Sequence, residues 1–383
     1  MELLMLTSRY GTGYGMGYSS YKEAEALASL GHDVSVVCIN PIPNEYSNAR
    51  ISFIHQPISD IPIFEFFSFY FRLRKLFKKK LNINSFDAIY IQSLEFGLVN
   101  FRKVEKPVYY FARSTMKGLG DALKQEHVHI KAVRKVVQKV LIWLEYRCME
   151  NSKRVLVKSY QMKDEVSRLY RQDERKIEVI QGGLDCQAFS SVNLSIHNLK
   201  QRFGIPSNKK IVMYAGRIVP QKGLKYLVEA SLELLAEQDF ALIIVGEPTD
   251  VRYTAEIKKR VVNSPQKDNI FFIGHVDQHN VPLVFVCADI VATPSIYEPF
   301  GMVNIQAASL GKWVITTDQT GSREILQSYS RIIVVKGHSS EALKTAIRDA
   351  LLLQNGHFVP KFGEGHSWQI VGRHLQKIFT EVK

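Results

Sequence analysis

The feature that most constrains the fold is a regular alternation of short apolar runs and helical segments, separated by glycine-rich turns. The apolar run Glu2–Thr7 is followed by a turn with glycine at 11, 13, 15 and 17, a helical pattern over 19–30 and a second apolar run over 34–39. A buried strand, a turn, a helix and another buried strand form a βαβ unit, which requires a parallel sheet.

The same alternation resumes in the second half of the chain. Strands are predicted at Lys210–Ala215, 241–245 and Trp313–Thr317, and helices over 224–237 and 301–310. Strands that alternate with helices in this way are typical of doubly wound sheets. The sequence therefore predicts an α/β protein with two tandem Rossmann-like, doubly wound parallel-sheet domains.

The predicted bounds are 1–185 for the N-terminal domain and 186–360 for the C-terminal domain. A helix within 361–383 is expected to pack back on the N-terminal domain, and residues 190–195 are the most linker-like part of the seam. Ligands of such folds bind outside the carboxyl ends of the strands. A cleft between the two domains is therefore the expected site.

The composition is that of an ordinary globular protein, with 46% hydrophobic and 23% charged residues, and it excludes disorder for the bulk of the chain. Four cysteines lie far apart, without the spacing of a metal or redox site. Cys38 and Cys287 lie in apolar runs, as expected of buried thiols in a reducing cytoplasm. No signal-peptide pattern and no apolar stretch long enough for a membrane span is present.

The net charge of +13 favours anionic partners, which are phosphorylated small molecules, nucleic acid or anionic lipid. Two of the basic residues, Arg217 and Lys222, lie in a loop between a predicted strand and a predicted helix. Gly216 and Gly223 bound this loop. A planar guanidinium and an ammonium suit a diphosphate. The alternative is a solvated charged loop.

The glycine-rich turn at Gly11–Gly17 does not fit the dinucleotide fingerprint. Its glycines serve either to pack the turn tightly or to offer backbone amides to a phosphate.

A second motif lies at residues 294–306, where a strand ends, a turn bounded by prolines follows, and a helix begins at Gly301. Unpaired backbone amides at a helix N-terminus bind anions. Glu298 beside them is expected to accept hydrogen bonds from neutral hydroxyls, which indicates a sugar, or alternatively to cap the helix. Gln306 lies two turns into the same helix, where it could equally be an exposed polar group.

In combination, these runs resemble the retaining glycosyltransferases of family 4, which have the GT-B fold. The resemblance extends over nearly the whole chain. It includes Gly31-His32-Asp33-Val34, 182–185, 216–223, 244–248, 272–276 and 294–301.

The resemblance implies an enzyme that moves a hexose from a nucleoside-diphosphate sugar to a saccharide or lipid-linked saccharide in polysaccharide biosynthesis. Glucose from UDP-glucose is the first choice, the N-terminal domain is the acceptor side, and no metal or other cofactor is expected. Arg217 and Lys222 would hold the diphosphate and stabilise the leaving group, and Glu298 would contact sugar hydroxyls. The donor-binding residues implied are Gly15, Met16, Gly216, Ile273, His275, Val276, Phe300, Gly301, Met302, Val303 and Gln306.

Two positions depart from the family pattern. Gln306 lies where the family has a second acid that grips the ribose hydroxyls, so donor affinity is in question more than chemistry. Arg113 lies where many relatives have a histidine that faces the donor sugar. Arg113 is therefore expected to contact the sugar or the leaving group as a cation.

The stretch 61–81 is rich in aromatic residues and then in lysine and arginine. It predicts either an interfacial helix on an anionic membrane or an aromatic core face followed by a solvated basic turn. The apolar positions of the helical pattern over 131–139 are expected in the core. We expect the protein in the cytoplasm. If 61–81 is an interfacial helix, we expect peripheral attachment to the inner face of the plasma membrane.

Other functions remain in competition. A nucleotide-sugar 2-epimerase has the same fold but differs in the two motifs. A nucleic-acid or anionic-surface binding protein would explain the charge, yet the basic residues are spread over both halves and no nucleic-acid binding module is present, so no nucleic-acid partner is expected. A transferase that binds donor without turnover would explain Gln306 and Arg113.

Overall fold

The computed structural model describes residues 1–11, 15–39, 48–55, 71–77, 81–126, 132–185, 196–277, 280–353 and 364–381. The chain forms two compact units. The first unit comprises Met1–Asp121, Val128–Gly183 and Trp368–Lys383, and the second comprises Ala122–His127 and Leu184–Ser367.

The described residues of the first unit contain one parallel sheet. Its strands are β1 (Glu2–Thr7), β2 (Asp33–Cys38), β3 (Ile51–His55), β4 (Ala88–Ile91), β5 (Val108–Ala112), β6 (Arg154–Val157) and β7 (Ile177–Val179). They lie in the order β3-β2-β1-β4-β5-β6-β7. The order reverses between β1 and β4, which makes that position the switch point of this sheet.

The second unit repeats this topology. Its strands are β8 (Lys210–Ala215), β9 (Phe240–Val245), β10 (Ile270–Gly274), β11 (Ile290–Thr293), β12 (Trp313–Thr317) and β13 (Ile332–Val335). In the described part of this unit they pair in parallel in the order β10-β9-β8-β11-β12-β13. Here β8 and β11 are the two strands at the switch point.

Helices connect the strands and cover the sheets. They are α1 (Met16–Ser29), α2 (Met116–Gln125), α3 (Ala132–Glu150), α4 (Tyr160–Tyr170), α5 (Ile196–Arg202), α6 (Leu224–Leu234), α7 (Val251–Val262), α8 (Val281–Val286), α9 (Met302–Ser309), α10 (Ser340–Leu352) and α11 (Trp368–Thr380). Because helices cover the central strands, β4, β5 and β9 are buried along their whole length. None of the helices in the described part of the chain is long and apolar enough to cross a bilayer.

The last helix completes the core of the first unit. Its residues Val371, Leu375 and Phe379 are buried in the same apolar cluster as β1 and β5. The Phe379 ring lies 4.7 Å from the Tyr109 ring, measured between centroids. Helix α11 packs along α1 because Gly372 has no side chain at the point where it approaches Ala26.

The predicted fold class, with two tandem doubly wound parallel sheets, is confirmed. The edge strands β3 and β13 and the helices α2, α4, α5, α7, α8 and α10 have no counterpart in the sequence-based prediction. Cys38 and Cys287 are buried as expected. The predicted seam at 190–195 lies outside the described residues.

One prediction about the helix over 131–139 is wrong. Val136 and Val137 were expected in the core, but they are 64% and 44% exposed, because Leu144 and Cys148 face the core instead. Most of the aromatic and basic stretch 61–81 lies outside the described residues. Within it, 71–77 is helical, and it buries Leu73 and Leu76.

Candidate active site

Two loops meet at the switch point of the second sheet, where β8 and β11 lie side by side. The loop 216–223 follows β8, and the loop 294–301 follows β11. The Gln221 side-chain amide donates to the Tyr297 carbonyl at 3.0 Å, and the Ile296 amide donates to the Gln221 carbonyl at 3.0 Å. The two motifs singled out in the sequence are therefore held together by hydrogen bonds.

Gly223 allows these loops to approach each other. Its φ is +65°, and a Cβ placed there would lie 2.0 Å from the Pro294 carbonyl oxygen. A residue with a side chain would be strained by this conformation and would also collide with backbone. The contact between the loops therefore requires glycine here.

Lys222 and Glu298 form an ion pair between the Nζ and Oε2 atoms. Their side chains are 21% and 15% exposed, so the pair is largely shielded from water but open to a ligand. The Ser295 hydroxyl lies 3.5 Å from the same carboxylate oxygen. A cation suited to phosphate and a carboxylate suited to hydroxyl groups are thus neighbours in one site.

Two backbone hydrogen bonds hold the main chain of Glu298 in place. Its amide donates to the Gln319 carbonyl at 3.1 Å, and its carbonyl accepts from the Gly321 amide at 3.0 Å. The alternative that Glu298 caps the following helix does not apply, because the N-cap of α9 is Gly301, and no side chain caps it. The carboxylate remains directed to Lys222.

Asn304, which is fully buried, fixes the start of α9 through its side-chain hydrogen bonds. Its side-chain amide donates to the hydroxyls of Thr316 and Ser322, each at 2.9 Å, and its side-chain oxygen accepts from Thr293 at 2.7 Å. The first amides of a helix have no intrahelical acceptor. A buried polar anchor therefore holds the helix start, with the amides of Met302 and Val303, in a fixed orientation.

Arg217 lies at the other end of the first loop and is exposed. Its carbonyl accepts from the Tyr214 hydroxyl at 2.8 Å. Among the described residues, its guanidinium takes part in no ion pair. The preceding residue Gly216 is tied to the end of β9, because its amide donates to the Val245 carbonyl at 2.9 Å. The guanidinium of Arg217 is consequently available to a ligand.

The remaining predicted donor-binding residues of this unit fall into two groups. Phe300 and Gly301 are buried in the second loop, and Met302 and Val303 are partly buried at the start of α9. Gln306 is half-buried one turn into α9, and not two turns as the sequence predicted, because the helix begins at Met302. Ile273, His275 and Val276 lie at the end of β10 and just beyond it. The His275 ring is half-exposed, and its Nδ1 atom lies 3.1 Å from the Glu247 carboxylate.

Gly15, Met16 and Arg113 belong to the first unit. Gly15 is the N-cap of α1 with φ +85°, and Met16 is the first residue of that helix. The Met16 sulfur accepts from the Ser93 hydroxyl at 3.8 Å. Arg113 directly follows β5 at the carboxyl edge of the first sheet.

Arg113 belongs to a buried charge cluster centred on Glu23. Its Nη2 atom lies 2.9 Å from the Glu23 carboxylate, and Lys158 Nζ approaches the other carboxylate oxygen at 3.4 Å. Tyr90 and Gln92 donate to the same carboxylate at 2.7 and 2.8 Å. One buried acid thus faces two cations.

Burial lowers the pKa of Lys158 to about 8, a shift that Glu23 opposes and Arg113 reinforces. Arg113 and Lys158 thus share one buried carboxylate as their ion-pair partner. The Arg113 Nε atom is buried without a hydrogen-bond partner in the described structure. The guanidinium thus has donor capacity beyond its bond to Glu23.

Sequence reasoning missed Glu23, Lys158 and Gln221. A signal existed for Glu23, because it lies within the apolar stripe of α1 together with Ala24 and Leu27. Lys158 follows an apolar strand directly, as Arg113 does. The role of Gln221 depends on a contact between distant loops, for which no local pattern exists.

Comparisons with known proteins agree with this architecture. The family described as Glycosyltransferase Family 4 matches residues 14–188, and the family described as Glycosyl transferases group 1 matches residues 195–360. An uncharacterized glycosyltransferase of Methanocaldococcus jannaschii is 26% identical over 85% of this chain and 83% of its own length.

Two further relatives are less similar in sequence, and they match different shares of this chain. The D-inositol 3-phosphate glycosyltransferase of Corynebacterium glutamicum is 24% identical over 62% of this chain, and the match spans 59% of that enzyme, less than two thirds of its length. The Anabaena protein HepE, solved in complex with UDP-glucose, superposes with a TM-score of 0.77 at 15% identity over 99% of this chain and 100% of its own.

The two family matches adjoin each other and together span most of the chain, one on each parallel-sheet unit. At identities this low the solved structures establish the fold alone. The chain therefore belongs to the family-4 glycosyltransferases, enzymes of the GT-B fold.

Proposed function

We propose that this glycosyltransferase moves a hexosyl group, with retention of anomeric configuration, from a nucleoside-diphosphate hexose to a saccharide or lipid-linked saccharide. UDP-glucose is the donor that we favour, and polysaccharide assembly is the setting. The ion pair between Lys222 and Glu298 is the observation that carries this proposal.

The ion pair supports the proposal because a donor of this kind carries phosphate and sugar hydroxyls side by side. Lys222 would take a phosphate oxygen with its remaining N–H groups, while Glu298 accepts from the sugar hydroxyls. Arg217 would add a second cation on the diphosphate. Cations fixed before the reaction stabilise the charge that develops on the leaving group.

The choice of nucleotide and sugar has separate support. The structurally similar HepE was solved with UDP-glucose. The segment Ile273–Val276 would offer backbone groups to a base at the end of β10, which is two strands away from β8. Gln306 would accept from the ribose hydroxyls through its side-chain carbonyl. The role of Arg113 at the leaving group stays a prediction.

Calorimetry with UDP, GDP and ADP tests the donor site first. We expect one nucleotide, UDP, to bind with micromolar affinity, and Arg217→Ala to weaken it by tenfold or more, since a charge-assisted hydrogen bond contributes roughly 1.5–3 kcal/mol. Arg252→Ala is the matched control, because Arg252 is exposed on α7 in the same unit. Equal affinity in wild type and Arg217→Ala would overturn the assignment of the diphosphate site.

The reaction itself is tested with the preferred nucleotide sugar and a panel of saccharide acceptors. Release of nucleoside diphosphate that depends on acceptor, together with an NMR spectrum of a product with the donor's anomeric configuration, would support retaining transfer. Release without acceptor would favour the epimerase alternative. Inverted configuration would contradict retention while leaving the donor site intact.

A further inference from the structure

Helix α3 exposes large apolar side chains to an unusual degree. Val136 is 64% exposed, Trp143 48%, Val137 44%, and Val140 and Tyr146 42% each. Large apolar side chains that are exposed together, and not scattered, mark a surface that contacts something else.

The exposed residues form one stripe along the helix. Val136, Val140, Trp143 and Arg147 follow each other at spacings of three and four residues, which places them on one face. Leu144, Cys148 and Met149 lie to one side of this stripe and are buried in the core of the first unit. The helix is thus apolar on two sides, and only one side is covered within the described structure.

Cations flank this stripe. Lys135 and Lys139 are exposed beside it, and the Arg147 guanidinium lies 4.9 Å from the centre of the Trp143 ring. From Lys135 to Arg147 the only acid is Glu145, and that residue is buried. Tyr146 lines a surface depression together with Arg168 and Arg171, which are also exposed.

We propose that the outer face of α3, formed by Val136, Val140 and Trp143 with Lys135, Lys139 and Arg147, docks on an anionic lipid bilayer. The valine and tryptophan side chains would enter the boundary between head groups and acyl chains, and the cations would contact lipid phosphates. Tryptophan and tyrosine favour this depth because one end of each ring system is polar.

The charge pattern favours a bilayer over a second copy of this chain. A two-fold interface through this face would place Lys135, Lys139 and Arg147 close to the same residues of the other copy, which is unfavourable. An anionic surface neutralises all three at once. The cations at both ends of the stripe also keep α3 in the interface plane.

Sedimentation of the full-length protein with vesicles tests the proposal, without nucleotide sugar or acceptor present. We expect binding to phosphatidylcholine vesicles that contain phosphatidylglycerol, weak binding to phosphatidylcholine alone, and a decline as salt is raised. Val140→Ser/Trp143→Ser and Lys135→Glu/Lys139→Glu should each reduce the partition coefficient by tenfold or more.

The matched control is Val251→Ser/Val262→Ser, which removes exposed valines from the second unit and should leave binding unchanged. Urea unfolding of each variant shows whether the first unit, which contains α3, is still folded, so a folding defect is recognised. The proposal is overturned if the α3 variants bind vesicles like wild type. It is also overturned if wild type is a dimer that Val140→Ser/Trp143→Ser separates. Neither result affects the proposed transfer reaction.

Discussion

Lys222 and Glu298 are 76 residues apart in the chain, yet their side chains form an ion pair between the two loops at the switch point of the second sheet. The pair exists because β8 and β11 are adjacent strands and Gly223 lets their loops touch.

Lys222→Met removes the ammonium group and leaves the Glu298 carboxylate without its partner. We expect kcat to fall by about two to three orders of magnitude, the range for loss of one preorganised group that stabilises developing charge. Steady-state release of nucleoside diphosphate measures this. Lys259→Met, at an exposed position of α7, is the control and should retain full activity. A loss below fivefold would show that Lys222 does not act on the leaving group.

Gly223→Ala tests the contact between the loops. Gly204 provides a matched control, since its φ of +64° is within 1° of the +65° of Gly223, but a Cβ at Gly204 would meet nothing within 4 Å. Both variants carry the strain of positive φ, about 1 kcal/mol, and only Gly223→Ala adds the collision with Pro294. Urea unfolding should show a larger loss for Gly223→Ala, by about 1–3 kcal/mol. Equal losses would mean that the loops separate without cost.

Gln306→Glu restores the acid that the family pattern has at this position. An ionised acceptor bonds hydroxyl groups about twice as strongly as an amide does, so UDP affinity should rise by roughly tenfold. Calorimetry measures the change, and 2′-deoxy-UDP is the control ligand that should lose most of the gain. An unchanged affinity for UDP would show that Gln306 does not reach the ribose.

Glu23→Gln leaves Arg113 and Lys158 buried without a counter-charge. Breaking a buried ion pair on one side costs about 3–5 kcal/mol, and we expect the free energy of unfolding to fall by this amount. Glu25→Gln on the same helix should change it little, because Glu25 is only partly buried and bonds neutral groups. Urea denaturation of both variants measures these free energies of unfolding. A loss under 1 kcal/mol for Glu23→Gln would contradict the charge assignment.

Glu145 gives the first unit a pH dependence. Burial raises the pKa of this carboxyl to about 7, although it accepts from the Tyr170 hydroxyl and the Met116 amide. The folded protein holds the proton between about pH 4.5 and 7 while the unfolded chain releases it, so stability falls as pH rises through this window. Glu145→Gln should remove a loss of about 2–4 kcal/mol between pH 5 and 8.

The measurement is the difference in unfolding free energy between wild type and Glu145→Gln at each pH. Glu150→Gln is the control at the end of the same helix, where the carboxylate is exposed. A difference that stays constant from pH 5 to 8 would show that Glu145 is ionised throughout.

The sequence predicted the central strands well because their apolar runs are buried on both faces. It did not reveal β3 and β13, which lie at the sheet edges and are only partly buried, so their pattern is weak. Helix α3 was recognised, but its outward valines were expected inside. A helical pattern gives the apolar positions, not the side that a neighbour covers.

The candidate site was predictable in its residue types and less so in its connections. Arg217, Lys222 and Glu298 were identified from charged positions next to strand ends and from the family resemblance. The hydrogen bonds of Gln221 to the second loop and the charge cluster around Glu23 depend on tertiary contacts between distant segments. Such contacts leave no local pattern in the sequence.

Helix α11 packs into the core of the first unit, although the whole second unit precedes it in the chain. During synthesis the ribosome therefore makes strands β1 to β7 long before the helix that covers Tyr109 and Leu3. Domains usually fold in the order in which they emerge. Here the unit that is made first is completed last, and its apolar surface stays open until Trp368–Thr380 has left the ribosome.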